Sequence, residues 1–373
     1  MLAIMIHPVQ ASIQTVRNAD VVVIGAGVFG LWAARHAIKA GKSVLVVDKR
    51  RAGAGASGGF LGALMPHMPD RWNGKKQFQF EALAGLEAAL RQLEADTGID
   101  CGYQRCGRLV PLGHERTRAI VAQRMSGAQA NWPGYSMQLL EPPFTATPAD
   151  GWLSLQAAPF GAQWDDLSAR LDPRSLIKAL AAFVRSKGEL REAVEVVALR
   201  SGAALLADGT TLKAGEIIVA NGWEAYGLLQ PHMGQLAEGG MIGRGVKGQA
   251  MLLEFAHGDG HPVIYSDGAY VVPHAGNAIA VGSSSVDAWR GEPGVFDPAD
   301  IGFHAKALAL VPQLAGAPVL ERWAGVRPRN MFAANSGEAW FGPVPGLAGV
   351  SARIGGFKTG LAMGHVESAM SIS

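Results

Sequence analysis

ADVVVIGAGVFGLWAARHAIKAGKSVLVVDKR, residues 19–50, decides the fold: it runs strand, glycine turn, helix, second strand, acidic residue. Val21, Val22, Val23 and Ile24 form an unbroken apolar run of the kind a parallel strand buried on both faces requires. Gly25-Ala26-Gly27-Val28-Phe29-Gly30 follows at once. Gly25 is expected to permit the tight turn, Gly27 to let a pyrophosphate approach without a Cβ in the way, and Gly30 to let the next helix close on the sheet. The helix start at Val28 and Phe29 then faces the phosphates with free amides and partial positive charge. Gly41 stops that helix, residues 44–47 form the second strand, and Asp48 stands at its end to accept hydrogen bonds from a ribose diol. A bare GxGxxG would be weak. The register of strand, helix, strand and acid makes a dinucleotide site the expectation, against a glycine-rich turn with no ligand.

Composition sets the outer bounds. At 373 residues the chain is too long for one ordinary core, and two intertwined or successive domains are expected. With 49% hydrophobic and 17% charged residues it is a packed globular protein. A formal net charge of +2, with no basic block, argues against a nucleic-acid partner. Apolar stretches break well before the ~20 residues that cross a bilayer, so no transmembrane helix is expected. Residues 1–18 lack a basic start, a sustained apolar centre and a small-residue cleavage site, and read as a loose extension of a cytoplasmic protein. The two cysteines, Cys101 and Cys106, have no His or Cys cluster beside them; inert thiols and no metal are expected.

Beyond the first unit the pattern alternates between layered α/β and antiparallel β. Residues 75–97 predict a long amphipathic helix, with Phe78, Leu83, Leu86, Leu90 and Leu93 as its core face and Gly98 as its stop. From Tyr103 to about Trp164, Pro, Gly and Trp with weak periodicity suggest short strands and loops of a second domain. Asp172-Pro173 caps a helix carrying Leu176, Ile177, Leu180, Phe183 and Val184, closed by Gly188. Residues 194–199, 203–206 and 211–214 read as short strands joined by Ser201-Gly202 and Asp208-Gly209 turns, and 217–220 as a return to a buried strand before Asn221-Gly222-Trp223. Residues 249–282, broken at Asp267-Gly268 and Gly276-Asn277, describe antiparallel strands. Residues 350–354 offer a strand, Gly355-Gly356 a close-approach loop, and a helix begins near Thr359. The nucleotide domain is therefore discontinuous.

These residues together resemble the D-amino-acid oxidase superfamily of flavoproteins, and within it the glycine oxidase and sarcosine oxidase branch. The resemblance runs from Ala19 to about Met370. It rests on the fingerprint, on residues 55–63 (GASGGFLGA), 171–174 (LDPR), 218–223 (IVANGW), 247–249 (KGQ), 269–273 (AYVVP), 322–329 (RWAGVRPR) and 356–360 (GFKTG), in shared order and spacing. It implies an α/β fold: a discontinuous Rossmann-like FAD-binding domain (19–102, 165–240 and 323–373) and an antiparallel substrate domain (103–164 and 241–322). The implied cofactor is FAD. Gly25, Gly27, Val28, Phe29, Gly30, Ala56 and Ser57 would serve the pyrophosphate and Asp48 the ribose, with Lys49 also among the cofactor-binding residues. Val194 would meet the adenine through its main chain, with Gly222 and Trp223 close by. Gly62, Ala63, Gly355, Gly356, Phe357, Lys358 and Thr359 would approach the ring end. Lys49, Arg50 and Arg51 raise the rival of a 2′-phosphate site for NADP, which Asp48 would oppose. Many relatives follow the Arg-Pro pair with a shorter turn than residues 330–338, and the final helix stops early at Ser373. No cysteine lies near the C-terminal loop, so the FAD is expected to be non-covalent.

The resemblance also names the catalytic candidates. Arg327 matches the arginine that binds the substrate carboxylate, a role suited to a guanidinium fork. Tyr270 matches the active-site tyrosine, its hydroxyl reaching the same carboxylate. Lys358 is expected to place positive charge near the flavin ring. Phe60 and Leu61, beside Gly62 and Ala63, are expected to line the ring or pocket. The implied reaction is oxidation of a small amine or amino acid to an imine by hydride transfer, with oxygen or another acceptor closing the cycle; a homo-oligomer is compatible with it. No Ser/His/Asp or paired-carboxylate constellation is visible, as a placement-driven hydride transfer allows. A flavin-dependent 2-hydroxy-acid dehydrogenase would instead need a base, and His67 is the candidate. A nicotinamide-dependent reductase is opposed by Asp48 and by the lack of a second glycine fingerprint, and a catalytically silent flavin-binding protein is suggested only by the segment after Arg329.

Overall fold

The computed structural model describes residues 15–17, 19–236, 240–258, 260–331 and 339–366. The fingerprint strand Val21–Ile24 lies in a six-stranded sheet. Its order is Trp340–Pro343, Val350–Ile354, Glu216–Val219, Val21–Ile24, Val44–Val47, Glu189–Arg191, parallel throughout except at the Trp340–Pro343 edge. Val21 and Val23 point into a core shared with the helices Val28–Lys39, Gly74–Thr97 and Pro173–Lys187. Val22 and Ile24 point to the other face, against Leu212, Tyr226 and Leu229. A strand apolar at every position is thereby buried on both sides.

A second, eight-stranded sheet is almost wholly antiparallel. The long strand Gly243–Glu254 pairs on one side with Val319–Asn330 and on the other with Ala278–Gly282; Ala269–His274, Val263–Ser266, Arg108–Pro111, Ala162–Asp165 and Met137–Leu140 follow in that order. The hairpins turn at Asp267-Gly268 and Gly276-Asn277, where both central residues of each pair have positive φ, the conformation tight hairpins need. A four-stranded sheet, Thr15–Arg17, Thr211–Lys213, Ala203–Leu206 and Val196–Arg200, covers the outside of the parallel sheet.

Several expectations shift. Residues 15–17, expected within a loose extension, form a strand pairing in parallel with Thr211–Lys213, whose outer edge would otherwise be open; the rest of the expected extension, residues 1–14 and 18, lies outside the described residues. The region expected to be strands and loops contains the 17-residue helix Glu115–Asn131. Only Val121 and Ala128 of it are buried, so it carries no apolar stripe for periodicity to reveal. In the helix Gly74–Thr97 it is Phe80, not Phe78, that reaches full burial, while Asn73 caps one end and left-handed Gly98 the other. The C-terminal helix is short, Gly360–Met363. The expected boundary at residue 323 falls inside Val319–Asn330, which is hydrogen-bonded into the eight-stranded sheet along its length.

Candidate active site

The carboxyl ends of the parallel strands open onto one face of the eight-stranded sheet, and between them lies a cavity of about 520 Å³. Ligands bind open α/β sheets in the crevice at those strand ends. At one end of the cavity Gly25 turns the chain with φ +106°. A Cβ on Gly30 would sit 1.9 Å from the Gly25 carbonyl oxygen, so the helix packs on its own turn only with glycine there. Gly30 itself does not line the cavity; Gly27, Val28 and Phe29 do. The Ser57 hydroxyl accepts from the Val28 amide at 3.0 Å, which leaves its own hydrogen to donate to a phosphate.

Asp48 ends its strand with both oxygens engaged: Oδ2 accepts from the Ala26 amide at 2.8 Å and Oδ1 from the Arg50 amide at 2.8 Å. Each carboxylate oxygen keeps a further lone-pair site for a ribose hydroxyl. Burial raises the Asp48 pKa, with the two amide bonds opposing that shift. Lys49 and Arg50 are not free for a 2′-phosphate. Lys49 Nζ lies 2.8 Å from Glu224, and Arg50 makes a fork to the same carboxylate at 3.1 and 3.0 Å. Val194 lines the cavity, but its amide donates to the Asp48 carbonyl at 2.9 Å, leaving only its carbonyl to meet a base. Neighbouring Val197 sits at the bulge in its strand pairing, exposed at the cavity wall. Gly222 and Trp223 line the same end, and Trp223 stacks edge-on with Trp289 at 5.8 Å.

The other end of the cavity brings Arg327, Tyr270 and Lys358 together. Arg327 starts on the strand Val319–Asn330, opposite Val246, and its head crosses the neighbouring strand at Gly248, where a Cβ would lie 2.5 Å from Nη2. Beyond that crossing Nη1 donates to Ser283 Oγ at 3.1 Å and Nη2 to the Ser284 carbonyl at 2.6 Å. Nε is buried with no hydrogen-bond partner, and no carboxylate among the described residues pairs with this guanidinium. Burial lowers the Arg327 pKa, with Tyr270 opposing that shift. Burial likewise pushes the Tyr270 phenol up to about 12. Lys358, exposed at the cavity wall, places Nζ 5.9 Å from the Tyr270 ring centre. Its pKa is lowered first by partial desolvation against the cavity wall and then by the charges of Arg327 and Arg329.

Ala56, Leu61, Gly62, Ala63, Gly356 and Phe357 also line the wall, whereas Gly355 and Thr359 do not. Gly355 backs onto Asn330, and Thr359 turns its amide and hydroxyl to the Gly356 carbonyl. Phe60 packs into the core beneath Arg174, its ring 5.3 Å from the guanidinium. His67 is exposed and outside the cavity. Cys101 and Cys106 are free thiols, Cys101 pushed up by burial to about 12, and no metal-ligand cluster occurs among the described residues. Gly248, Ser283 and Trp323 also line the cavity, and the sequence does not single them out as site residues. Only Gly248 carries a local signal, as a glycine inside a strand that marks a close approach.

Known proteins share this architecture. A glycine oxidase of Pseudomonas aeruginosa is 28% identical over 349 residues, covering 92% of this chain and 91% of that one. The crystal structure of a glycine oxidase from Geobacillus kaustophilus superposes with a TM-score of 0.80 at 22% identity, covering 94% of this chain and 92% of that one. The structure of an iminodiacetate oxidase from a Chelativorans species gives 0.79 at 23% identity, with 92% of each chain covered. The model of the family described as FAD dependent oxidoreductase matches residues 20–368, and the chain belongs to that family, an enzyme with FAD as its cofactor.

Proposed function

We propose that the chain oxidises the carbon–nitrogen bond of a small amine carrying a carboxylate, of the glycine, sarcosine or D-amino-acid type. The observation that carries this reading is Arg327: half-buried, turned into the cavity, its Nε buried and unpaired and no carboxylate beside it among the described residues. Such a guanidinium is a ready partner for a substrate carboxylate, and Tyr270 and Lys358 add a phenol and an ammonium at the same end. The names of the relatives, glycine oxidase and iminodiacetate oxidase, support an amino-carboxylate substrate.

The wall fits FAD in sections. The turn at Gly25 and Gly27, the Phe29 amide and the Ser57 hydroxyl suit the pyrophosphate; Asp48 suits the ribose, and the main chain from Val194 to Val197 the adenine. Leu61, Gly62, Ala63, Gly356, Phe357 and Lys358 form the end left for the ring. When bound, FAD supplies the hydride acceptor. Arg327 grips and orients the carboxylate, with Tyr270 donating alongside. The cations Arg327 and Lys358 disfavour a further positive charge, so the substrate amine loses its proton and its lone pair becomes available to close the C=N bond. The α-hydrogen leaves with its electron pair, and water hydrolyses the imine to a carbonyl compound, releasing the nitrogen as ammonia or the corresponding amine. No base at the α-carbon is required. Among the described residues no histidine or carboxylate lines that end of the wall, which favours an amine over a 2-hydroxy acid.

Oxygen or another acceptor completes the cycle in this reading. We infer a cytoplasmic setting on the strength of the two free thiols. We divide the chain into an FAD-binding part built on the parallel sheet and a substrate part built on the eight-stranded one, Val319–Asn330 going with the latter. Anaerobic bleaching of the flavin tests the reading. Glycine, sarcosine, proline and D-amino acids are offered in parallel with 2-hydroxy acids, and at least one amine should bleach while the hydroxy acids do not. Bleaching by hydroxy acids alone overturns it.

A further inference from the structure

Arg327 owes its aim to a segment of chain that is itself held from behind. After the strand Ala278–Gly282 ends, residues 283–286 continue along the strand Gly243–Glu254, with Lys247 and Val286 exchanging backbone hydrogen bonds at 3.0 and 2.9 Å. Ser284 sits at the junction. Its carbonyl takes the 2.6 Å bond from Arg327 Nη2, its hydroxyl accepts from the Gln249 amide at 3.1 Å, and its own amide donates to the Gln249 carbonyl at 3.3 Å.

Gln249 is 1% exposed and its side chain is fully committed to the far end of the same segment. Nε2 donates to the Asp297 carbonyl at 3.1 Å, the Asp300 carbonyl at 3.0 Å and Asp300 Oδ2 at 3.3 Å, while Oε1 accepts from the Asp297 amide. One residue thus fixes both ends of the stretch that begins at Ser284, directly after Ser283. A buried amide with both its donor and its acceptor engaged holds one geometry rather than several, because any alternative leaves a polar group unpaired.

We propose that Gln249 is a positioning residue for substrate recognition: it pins residues 284–300 so that Ser283 and Ser284 hold the Arg327 fork in the orientation that accepts a carboxylate. The inference rests on the reading of Arg327 as the carboxylate site. Gln249 does not line the cavity; it acts through Ser284.

The test is a double-mutant cycle on the holoenzyme with acetate as probe, its Kd read from the perturbation of the flavin visible spectrum. Gln249→Met keeps the volume and removes the four side-chain hydrogen bonds. Gln249→Glu keeps the acceptor for the Asp297 amide but sets a second oxygen against the three oxygens that now accept, and serves where the methionine variant does not fold. In the wild-type background either change should weaken acetate by about tenfold or more, as expected for a misaligned fork. In the Arg327→Ala background neither should weaken it further. Equal weakening in both backgrounds shows that Gln249 acts generally on the fold, and full affinity in the Gln249 variants shows that it does nothing; either overturns the inference. Acetate binding that is absent from the wild type, or indifferent to Arg327→Ala, overturns the reading of Arg327 and the inference with it.

Discussion

Gly248→Ala is the substitution that most directly probes how the arginine is aimed. The three atoms nearest to an added methyl all belong to Arg327: Nη2 at 2.5 Å, Cζ at 2.6 Å and Nε at 3.1 Å. The backbone at Gly248 does not lie in the left-handed region, so the nearest obstacle to alanine is the guanidinium. Restoring ordinary contact of about 3.5 Å requires the head to move by about 1 Å. Directed along the 2.6 Å bond to Ser284, a shift of that size takes it beyond hydrogen-bond length, and in any direction it changes the geometry of that bond and of the 3.1 Å bond to Ser283. Hydrogen bonds to a charged group contribute about 1.5–3 kcal/mol each, and a displacement near 1 Å of a positioning group costs about 10²-fold in rate. Stopped-flow flavin reduction under anaerobic conditions should therefore show the reduction rate constant divided by substrate Kd falling about 10²-fold, with FAD content unchanged. Placing the same alanine in an Arg327→Ala background should cost little, since the clash is gone. A single variant as active as wild type, or an equal loss in both backgrounds, refutes the crossing of Arg327 over Gly248 as the reason for that glycine.

Arg327→Ala should cut reduction efficiency by on the order of 2 to 5 kcal/mol while the protein keeps its FAD, and Arg327→Lys should recover only part, because an ammonium lacks the planar fork; an amine without a carboxylate should barely respond, and a mutant that sheds FAD would make the arginine structural. Asp48→Ala should weaken FAD by at least about tenfold, since it removes charged acceptors worth about 1.5–3 kcal/mol each; unchanged affinity in a titration of apoprotein would deny the ribose contact. Partial desolvation at the cavity wall and the nearby Arg327 and Arg329 charges lower the Lys358 pKa, so the ammonium is charged below that depressed value and neutral above it. If its charge aids reduction, the rate at saturating substrate should decline as pH rises, earlier than an ordinary lysine would cause, and Lys358→Met should abolish that limb. Tyr270, pushed up to about 12, titrates too late to produce it. Identical alkaline limbs in both proteins would remove Lys358 from the chemistry.

The parts of this molecule legible in its sequence are those written within one or two elements. The fingerprint strand can be read because burial on both faces demands apolar residues at every position, and the turn because Gly25 and Gly30 each answer a local steric demand. The hairpins at Asp267-Gly268 and Gly276-Asn277 are equally plain, since few residue pairs accept positive φ twice in succession. The helix Glu115–Asn131 is not, because it buries two residues and so leaves no periodic trace. Its position is therefore invisible to any argument from amphipathicity.

Arg327 shows where reading along the chain stops. Resemblance can nominate it, and chemistry can say what a guanidinium would hold, but its aim depends on partners 43 and 44 residues away and on a glycine across a strand pairing. None of these shares a local pattern with it. Gly248 looks like a weak point in a strand, Ser283 and Ser284 like an ordinary loop, and Gln249 like a polar residue misplaced among apolar ones. Only the antiparallel register that sets Gly248 against Gly325 and Val246 against Arg327 turns those four oddities into one device. A strand position can lose its side chain at little cost if another side chain fills the space, and here the filling group is the charge that the cavity presents. The same register explains why a methyl at Gly248 would displace Arg327 although its own backbone would accept one: the constraint belongs to the neighbouring strand.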